Sequence, residues 1–193
     1  MSTPPEQAGG ATWFETLDED VVYDGFSTVV RETVSLPGGG EMQREVVRHD
    51  DAVAVVPVLD DGRIVLLRQY RQPLRRYVLE IPAGKMDVGG ETPEEVAHRE
   101  LAEEIGQDAR ELIHLVSFAN SAGWTTETTH VYLGRGVHPV ARPDGFEPEA
   151  EEADMEVVTL DADDAVALAH SGDLIDAKTL VGLLMAAPHL RAT

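Results

Sequence analysis

The sequence contains no cysteine, which excludes a disulfide framework, thiolate catalysis and cysteine-ligated zinc or iron–sulfur centres. It is also poor in cations, with 15 Lys plus Arg against 36 Asp plus Glu and a formal net charge of −21. Recognition of a nucleic-acid backbone depends on many cations releasing counterions, and an anionic bilayer repels such a chain, so neither nucleic acid nor membrane is expected as a partner. No run approaches the roughly 18 apolar residues of a membrane span. Met1 to Gly10 show neither the basic start nor the apolar stretch of a signal peptide. These absences lead to the expectation of a cytoplasmic protein.

What is present is enough for a core, since 42% of the 193 residues are apolar. Residues 1–12 are rich in Pro, Gly and small polar residues and read as a flexible lead-in. Strand-like stretches Phe26 to Leu36 and Glu41 to Arg48 flank Pro37-Gly38-Gly39-Gly40, a hairpin within an N-terminal β subdomain over 13–50. A second pair, Ala52 to Leu59 and Arg63 to Tyr70, surrounds Asp60-Asp61-Gly62, and the run Ala52 to Val56 reads as a strand buried on both faces. Further strands are expected at Tyr77 to Ile81, Glu111 to Phe118, Thr128 to Leu133 and Met155 to Thr159. Helices are expected near Ala162 to Ser171, stopped by Gly172, and from Asp176 to Ala187, stopped by Pro188. Residues 51–193 thus read as one mixed α/β domain. Within it, Asp144 to Asp176 contain twelve carboxylates and no Lys or Arg, which reads as a solvated surface.

One helix carries more information. Thr92-Pro93-Glu94-Glu95 combines an N-cap, a proline in the first turn and a capping-box Glu, and Gly106 ends the helix after Ile105. Ala97, Leu101 and Ile105 form its apolar stripe, while Glu100, Glu103 and Glu104 share the adjoining sector. Glu100 and Glu104 are a like-charge pair four residues apart, which weakens an isolated helix by about 0.2–0.5 kcal/mol. Taken alone, the pattern describes a solvated acidic face more often than a metal site. A hard divalent cation would reverse the cost, because Mg²⁺ prefers oxygen ligands.

The surrounding residues decide between these. Gly84, Glu91, Arg99, Glu100, Leu101, Glu103, Glu104 and Gly106 stand in the order of the Nudix box, G-x5-E-x7-R-E-U-x-E-E-x-G-U, where U is a bulky aliphatic residue. Two positions depart from it: six residues separate Gly84 from Glu91, and Gln107 replaces the last aliphatic. The extra residue falls in a loop containing Gly89-Gly90, so the spacing within the helix is unchanged. The chain therefore resembles the Nudix hydrolase superfamily. That resemblance implies an α/β/α sandwich, here with an N-terminal antiparallel β subdomain, that uses Mg²⁺ or Mn²⁺ to hydrolyse nucleoside diphosphates linked to another moiety. It further implies Glu100, Glu103, Glu104 and the carbonyl of Ala83 as metal ligands, with Glu103 also catalytic. Gly84, Glu91 and Arg99 support the box.

Residues outside the box are similar to those of the ADP-ribose pyrophosphatase and nucleotide-sugar hydrolase branch. They are Leu67-Arg68-Gln69-Tyr70-Arg71, Glu80-Ile81-Pro82-Ala83-Gly84, Arg44-Glu45-Val46-Val47 and Glu152 to Val157. Arg68, Arg71, Arg75 and Arg76 gather guanidinium groups that suit phosphate oxygens, and Arg71 and Arg68 are the expected substrate-binding pair. Asn120-Ser121-Ala122-Gly123-Trp124-Thr125-Thr126-Glu127 resembles the branch's Ser-Pro-Gly-aromatic-x-x-Glu loop, which makes Glu127 the expected catalytic base. Ala122 stands where the proline that marks ADP-ribose specificity would be. The N-terminal hairpin resembles the subdomain through which this branch forms homodimers, and Trp13, Phe14, Tyr23 and Phe26 are aromatics that could stack on a nucleobase or fill an interface. The expected substrate is ADP-ribose or a related nucleoside diphosphate sugar. Another Nudix substrate (GDP-mannose, a dinucleotide or a nucleoside triphosphate) and a non-catalytic nucleotide-sugar sensor stand as alternatives.

Overall fold

A computed structural model describes residues 14–143, 145 and 154–190. The lead-in expected over 1–12, Trp13, and the carboxylates Asp144, Glu147, Glu149, Glu151 and Glu152 lie outside the described residues. The chain divides into two compact units.

The first unit contains the described residues up to His49 together with Ser121–Thr126. It is an antiparallel sheet of β1 (Thr16–Asp24), β2 (Thr28–Ser35) and β3 (Glu41–Arg48) in the order β1-β2-β3. Gly38, Gly39 and Gly40 all have positive φ, which explains why this turn is built from glycine. Val30 and Val34 are buried, whereas β1 is exposed along its whole length and presents Leu17, Val21, Val22 and Tyr23. The loop 121–126 is tied to β3 through Val47, whose N–H donates to the Trp124 carbonyl (2.9 Å) and whose carbonyl accepts from Thr126 N–H (3.0 Å).

The second unit, 50–120 with the described residues from Glu127 on, is a sheet with helices on both faces. Its strands are β4 (Ala52–Leu59), β5 (Ile64–Arg71), β6 (Arg76–Glu80), β7 (Ala83–Lys85), β8 (Gln107–Asp108), β9 (Glu111–Ala119), β10 (Thr128–Pro139) and β11 (Glu156–Leu160). The main path runs β11-β5-β4-β10-β8, with β6 on β5, β7 on β4 and β9 on β10; β4 and β10 are parallel. Alternation along β4 sends Val53 and Val55 to one face and Ala54 and Val56 to the other. The Val53 face packs on Val96, Ala97, Leu101 and Ile105 of α1 (Pro93–Ile105). The Ala54 face packs on Ala165 and Ala169 of α2 (Ala162–Ser171) and Leu183 and Ala186 of α3 (Ala177–Leu190). The two-faced burial expected for Ala52 to Val56 is observed. Leu101 is fully buried, so truncating it to Ala would cost about 2–5 kcal/mol.

Two elements run further than expected. β10 continues past Leu133 to Pro139, because the missing side chain of Gly134 admits Val55 and Ala109, and a register shift at the left-handed Gly136 (φ 62°) absorbs the turn. α3 continues through Pro188, which removes only one hydrogen bond in the last turn, and Arg135 Nη2 donates to the His189 carbonyl (3.0 Å). No helix among the described residues is long and apolar enough to cross a membrane.

Candidate active site

The site is assembled where β6, β7 and α1 meet the edge of β4. β7 pairs Ala83 with Ala54 and Gly84 with Val53, and the Pro82 carbonyl accepts from Val55 N–H (2.9 Å), so the Ala83-Gly84 turn is held against the most buried strand. α1 starts where its capping box dictates. Glu95 N–H donates to Thr92 Oγ1 (3.3 Å), while Thr92 N–H (2.8 Å) and the Thr92 hydroxyl (3.0 Å) donate to Glu95 Oε2 and hold the Glu95 carboxyl below its ordinary pKa. Gly106 ends the helix in the left-handed conformation.

Helical geometry carries Glu100 and Glu104 toward this turn, and both are only 8% exposed. Ala83 N–H donates to Glu104 Oε2 (3.0 Å). A side chain at Gly84 would overlap the Glu100 carboxylate, so the glycine is the cradle in which Glu100 lies. Arg99 connects helix and loop: Nη1 donates to Glu100 (2.6 Å) and Glu103 (3.2 Å), Nε to Glu91 (3.3 Å) and Nη2 to the Lys85 carbonyl (3.0 Å). Burial opposes the charge on Arg99, but Glu100, Glu91 and Glu103 outweigh it and raise its pKa. One guanidinium among Glu91, Glu100 and Glu103, with Glu104 adjacent, leaves an excess of negative charge.

Among the described residues, no three His, Asp or Glu side chains are arranged to enclose a metal ion. Glu100 and Glu103 are drawn to Arg99, and Glu104 faces Ala83 N–H. The donor set nonetheless fits a hard cation in kind and in excess charge, and the missing side chain of Gly84 is what lets the Glu100 carboxylate join it. Glu100, Glu103, Glu104 and the Ala83 carbonyl could hold one once these carboxylates re-orient.

The expected arginine pair is split. Arg68 and Arg71 are three apart on β5 and so point to opposite faces. Arg68 stacks 3.9 Å above the Tyr77 ring and pairs with Glu156 (3.2 Å). Arg71 forks onto Glu80, with Nε and Nη2 each 2.7 Å from a carboxylate oxygen, and that contact raises its pKa against the opposing effect of burial. Arg75 and Arg76 are exposed beside the β5–β6 turn, and Arg75 has φ 52°. Glu127 is half-buried immediately before β10, and its carbonyl accepts from Asn120 N–H (3.1 Å).

Two groups escaped the sequence reading. Lys178 on α3 lies 3.4 Å from Glu80 and 2.7 Å from Asp176, far from the box in sequence and with no local signal. In the first unit, Arg31, Gln43, Arg44, Glu45, Gly123 and Trp124 line a groove of about 350 Å³. Arg44 is visible in the sequence only as part of the Arg44-Glu45-Val46-Val47 stretch; the register of β2 on β3 brings the basic residues together, and the bonds between Val47 and the 121–126 loop add Trp124.

Residues 48–179 match the NUDIX domain. The chain is 40% identical over 166 residues to the ADP-ribose pyrophosphatase of Bacillus subtilis (strain 168), covering 86% of this chain and 88% of that protein. It is 37% identical over 172 residues to the ADP-ribose pyrophosphatase of Mycobacterium tuberculosis (strain ATCC 25618 / H37Rv), covering 89% and 82%. A crystal structure of an ADP compounds hydrolase superposes with a TM-score of 0.81 over 95% of this chain and 97% of that one. At 24% identity this likeness speaks to the fold alone.

Proposed function

We propose, starting from the fact that this chain belongs to the NUDIX family and is a Nudix hydrolase, that it cleaves the pyrophosphate of ADP-ribose or a related nucleoside diphosphate sugar. From ADP-ribose the products are AMP and ribose 5-phosphate. The observation that carries the reading is the placement of Glu100 and Glu104 against Ala83 and Gly84, with Gly84 leaving room for the Glu100 carboxylate and Glu103 joined to the same cluster through Arg99. The two relatives named as ADP-ribose pyrophosphatases support the substrate.

In this reading, Glu100, Glu103, Glu104 and the Ala83 carbonyl hold Mg²⁺ or Mn²⁺, which when bound offsets charge on the pyrophosphate oxygens. Arg99 and Glu91 keep the Gly84 loop on α1 so that the carboxylates stay in register with Ala83. Glu127, with Glu103 as the second catalytic carboxylate, accepts a proton from water as the water oxygen bonds to phosphorus. The bridging P–O bond breaks and its electron pair leaves with the second phosphate. Of the expected arginine pair, Arg71 binds the substrate's anionic part, because Glu80 fixes its fork while Nη1 is not used in that contact; Arg68 faces the other side of β5. The Arg44 and Trp124 groove has the chemistry of a nucleotide subsite. Two copies associate through the N-terminal sheet, where β1 exposes Leu17, Val21, Val22 and Tyr23. The enzyme acts in the cytoplasm.

The test is a panel of ADP-ribose, GDP-mannose, NADH, diadenosine polyphosphates and nucleoside triphosphates incubated with Mg²⁺, with products identified. ADP-ribose is expected to give AMP and ribose 5-phosphate. Glu104→Gln is expected to abolish turnover, and Glu127→Gln to slow it while metal still binds; a near wild-type rate in Glu127→Gln would place the base elsewhere. Preferential cleavage of another panel member replaces the substrate. Binding of ADP-ribose with no cleavage of any member makes the protein a sensor.

A further inference from the structure

The Arg71–Glu80 fork is one side of a larger arrangement. The Glu80 side chain is 4% exposed, and a carboxylate at that depth needs its charge compensated. Arg71 supplies two hydrogen bonds on one side, and Lys178 reaches Oε2 at 3.4 Å from the other. Lys178 is itself held by Asp176 Oδ1 at 2.7 Å. The other Asp176 oxygen is anchored at the start of α3, where it accepts from Thr179 N–H (2.8 Å) and the Thr179 hydroxyl (2.7 Å). That hydroxyl in turn accepts from Ile81 N–H (2.8 Å). The N-terminus of α3 is thus fastened to Glu80 and Ile81, the residues that lead into the Ala83-Gly84 turn. A cavity of about 270 Å³ opens beside this cluster, bordered by Arg71, Glu80, Asp176 and Lys178 among apolar neighbours such as Leu74 and Val78.

We propose that Lys178 is a positioning residue for Arg71: by sharing Glu80 and Asp176 from the α3 side, it fixes the carboxylate onto which Arg71 is forked and keeps the Arg71 edge available to a substrate phosphate. The four side chains balance in charge, two cations against two carboxylates. Removing the ammonium leaves Glu80 and Asp176 against Arg71 alone. The guanidinium is then drawn between two anions, and the cavity edge becomes net negative and repels a pyrophosphate. Lys178 stays protonated in place, because Asp176 and Glu80 outweigh the opposing effect of burial and raise its pKa. Lys178 does not touch the reacting atoms; its effect passes through Glu80 and Arg71.

This inference rests on the substrate reading above for its kinetic arm only. With ADP-ribose and Mg²⁺, Lys178→Met is expected to raise KM about tenfold with kcat within about twofold of wild type, the split expected when binding is weakened and the chemical step is not. Lys178→Arg is expected to restore most of the affinity. The second arm needs no substrate: the ¹⁵N-labelled Nε–H signal of Arg71, assigned by its loss in Arg71→Lys, is expected to be slow to exchange in wild type and about tenfold faster in Lys178→Met. Should Lys178→Met not fold, Lys178→Gln carries both arms, with thermal melting to establish folding. If wild type does not cleave ADP-ribose, the proposed function fails while the Nε–H arm still tests the positioning. Unchanged Nε–H exchange in the Lys178 variant overturns the inference, as does an unchanged KM in an enzyme that does cleave ADP-ribose, or a Lys178→Arg variant no better than Lys178→Met.

Discussion

Gln107 stands where the Nudix box has an aliphatic residue, and the structure shows the energetic consequence. It opens β8, opposite Pro139 of β10, and its side-chain Oε1 is buried without a hydrogen-bond partner among the described residues. An amide oxygen removed from water and left unpaired costs about 1–3 kcal/mol. Leucine has nearly the same volume and no polar atom, so Gln107→Leu removes that cost with little repacking. The net gain is about 1–2 kcal/mol. At about 2–4 °C per kcal/mol for a chain of this size, the melting temperature rises by roughly 2–8 °C. Urea unfolding followed by circular dichroism checks the mechanism: the midpoint moves to higher urea while the slope m is unchanged, because the surface exposed on unfolding is nearly the same. The comparison is repeated at two protein concentrations so that self-association does not contribute. A Gln107→Leu midpoint equal to or below wild type would refute the assignment of an unpaired oxygen at this position.

Gly84→Ala is expected to fold almost normally, since only the far end of the flexible Glu100 side chain is in the way. Displacing that carboxylate should nonetheless raise the Mg²⁺ concentration for half-maximal activity by about tenfold or more, measured by metal titration of the rate. Thr92→Ala breaks the capping box and should cost about 1 kcal/mol in urea unfolding. The Glu95 contribution follows its lowered pKa: it is present at neutral pH and lost as pH falls through the carboxylate range, so the gap between wild type and Glu95→Gln should close in acid. Tyr132 is pushed up to about 12 by burial and by its hydrogen bond to Glu94 (3.0 Å), so Tyr132→Phe should remove the high-pH step in tyrosinate absorbance. Glu94→Gln should bring it only part of the way down, because burial is the larger cause.

The extent to which these features are legible in the sequence follows from the range of the forces involved. α1 is set by local chemistry, with Thr92, Glu95 and Gly106 within one helix length, and its limits are read directly. The β4 run is equally plain, because a short apolar run rich in β-branched Val and bounded by Asp50-Asp51 and Asp60-Asp61-Gly62 fits a strand covered on both faces. The end of α3 is not, because Pro188 is a strong local signal overridden by packing of Leu183 and Ala186 and by the remote Arg135. Clustering in sequence also misleads for Arg68 and Arg71, although period-two alternation along β5 already separates them. Lys178 has no local signal at all; its pairing with Glu80 exists only after α3 docks beside β6.

The parallel pairing of β4 with β10 also has a temporal consequence. Ala52 lies beside Thr129 and Leu59 beside Val137, so the middle of the sheet joins segments made far apart during synthesis. While the chain is emerging, α1 and β4 are complete long before the strand that must flank them, and the apolar side of the helix has no finished surface on which to settle. Closure of the sheet centre therefore waits for residues near 137 to leave the ribosome, and the carboxylate-bearing helix gains its full apolar bed late in the protein's assembly.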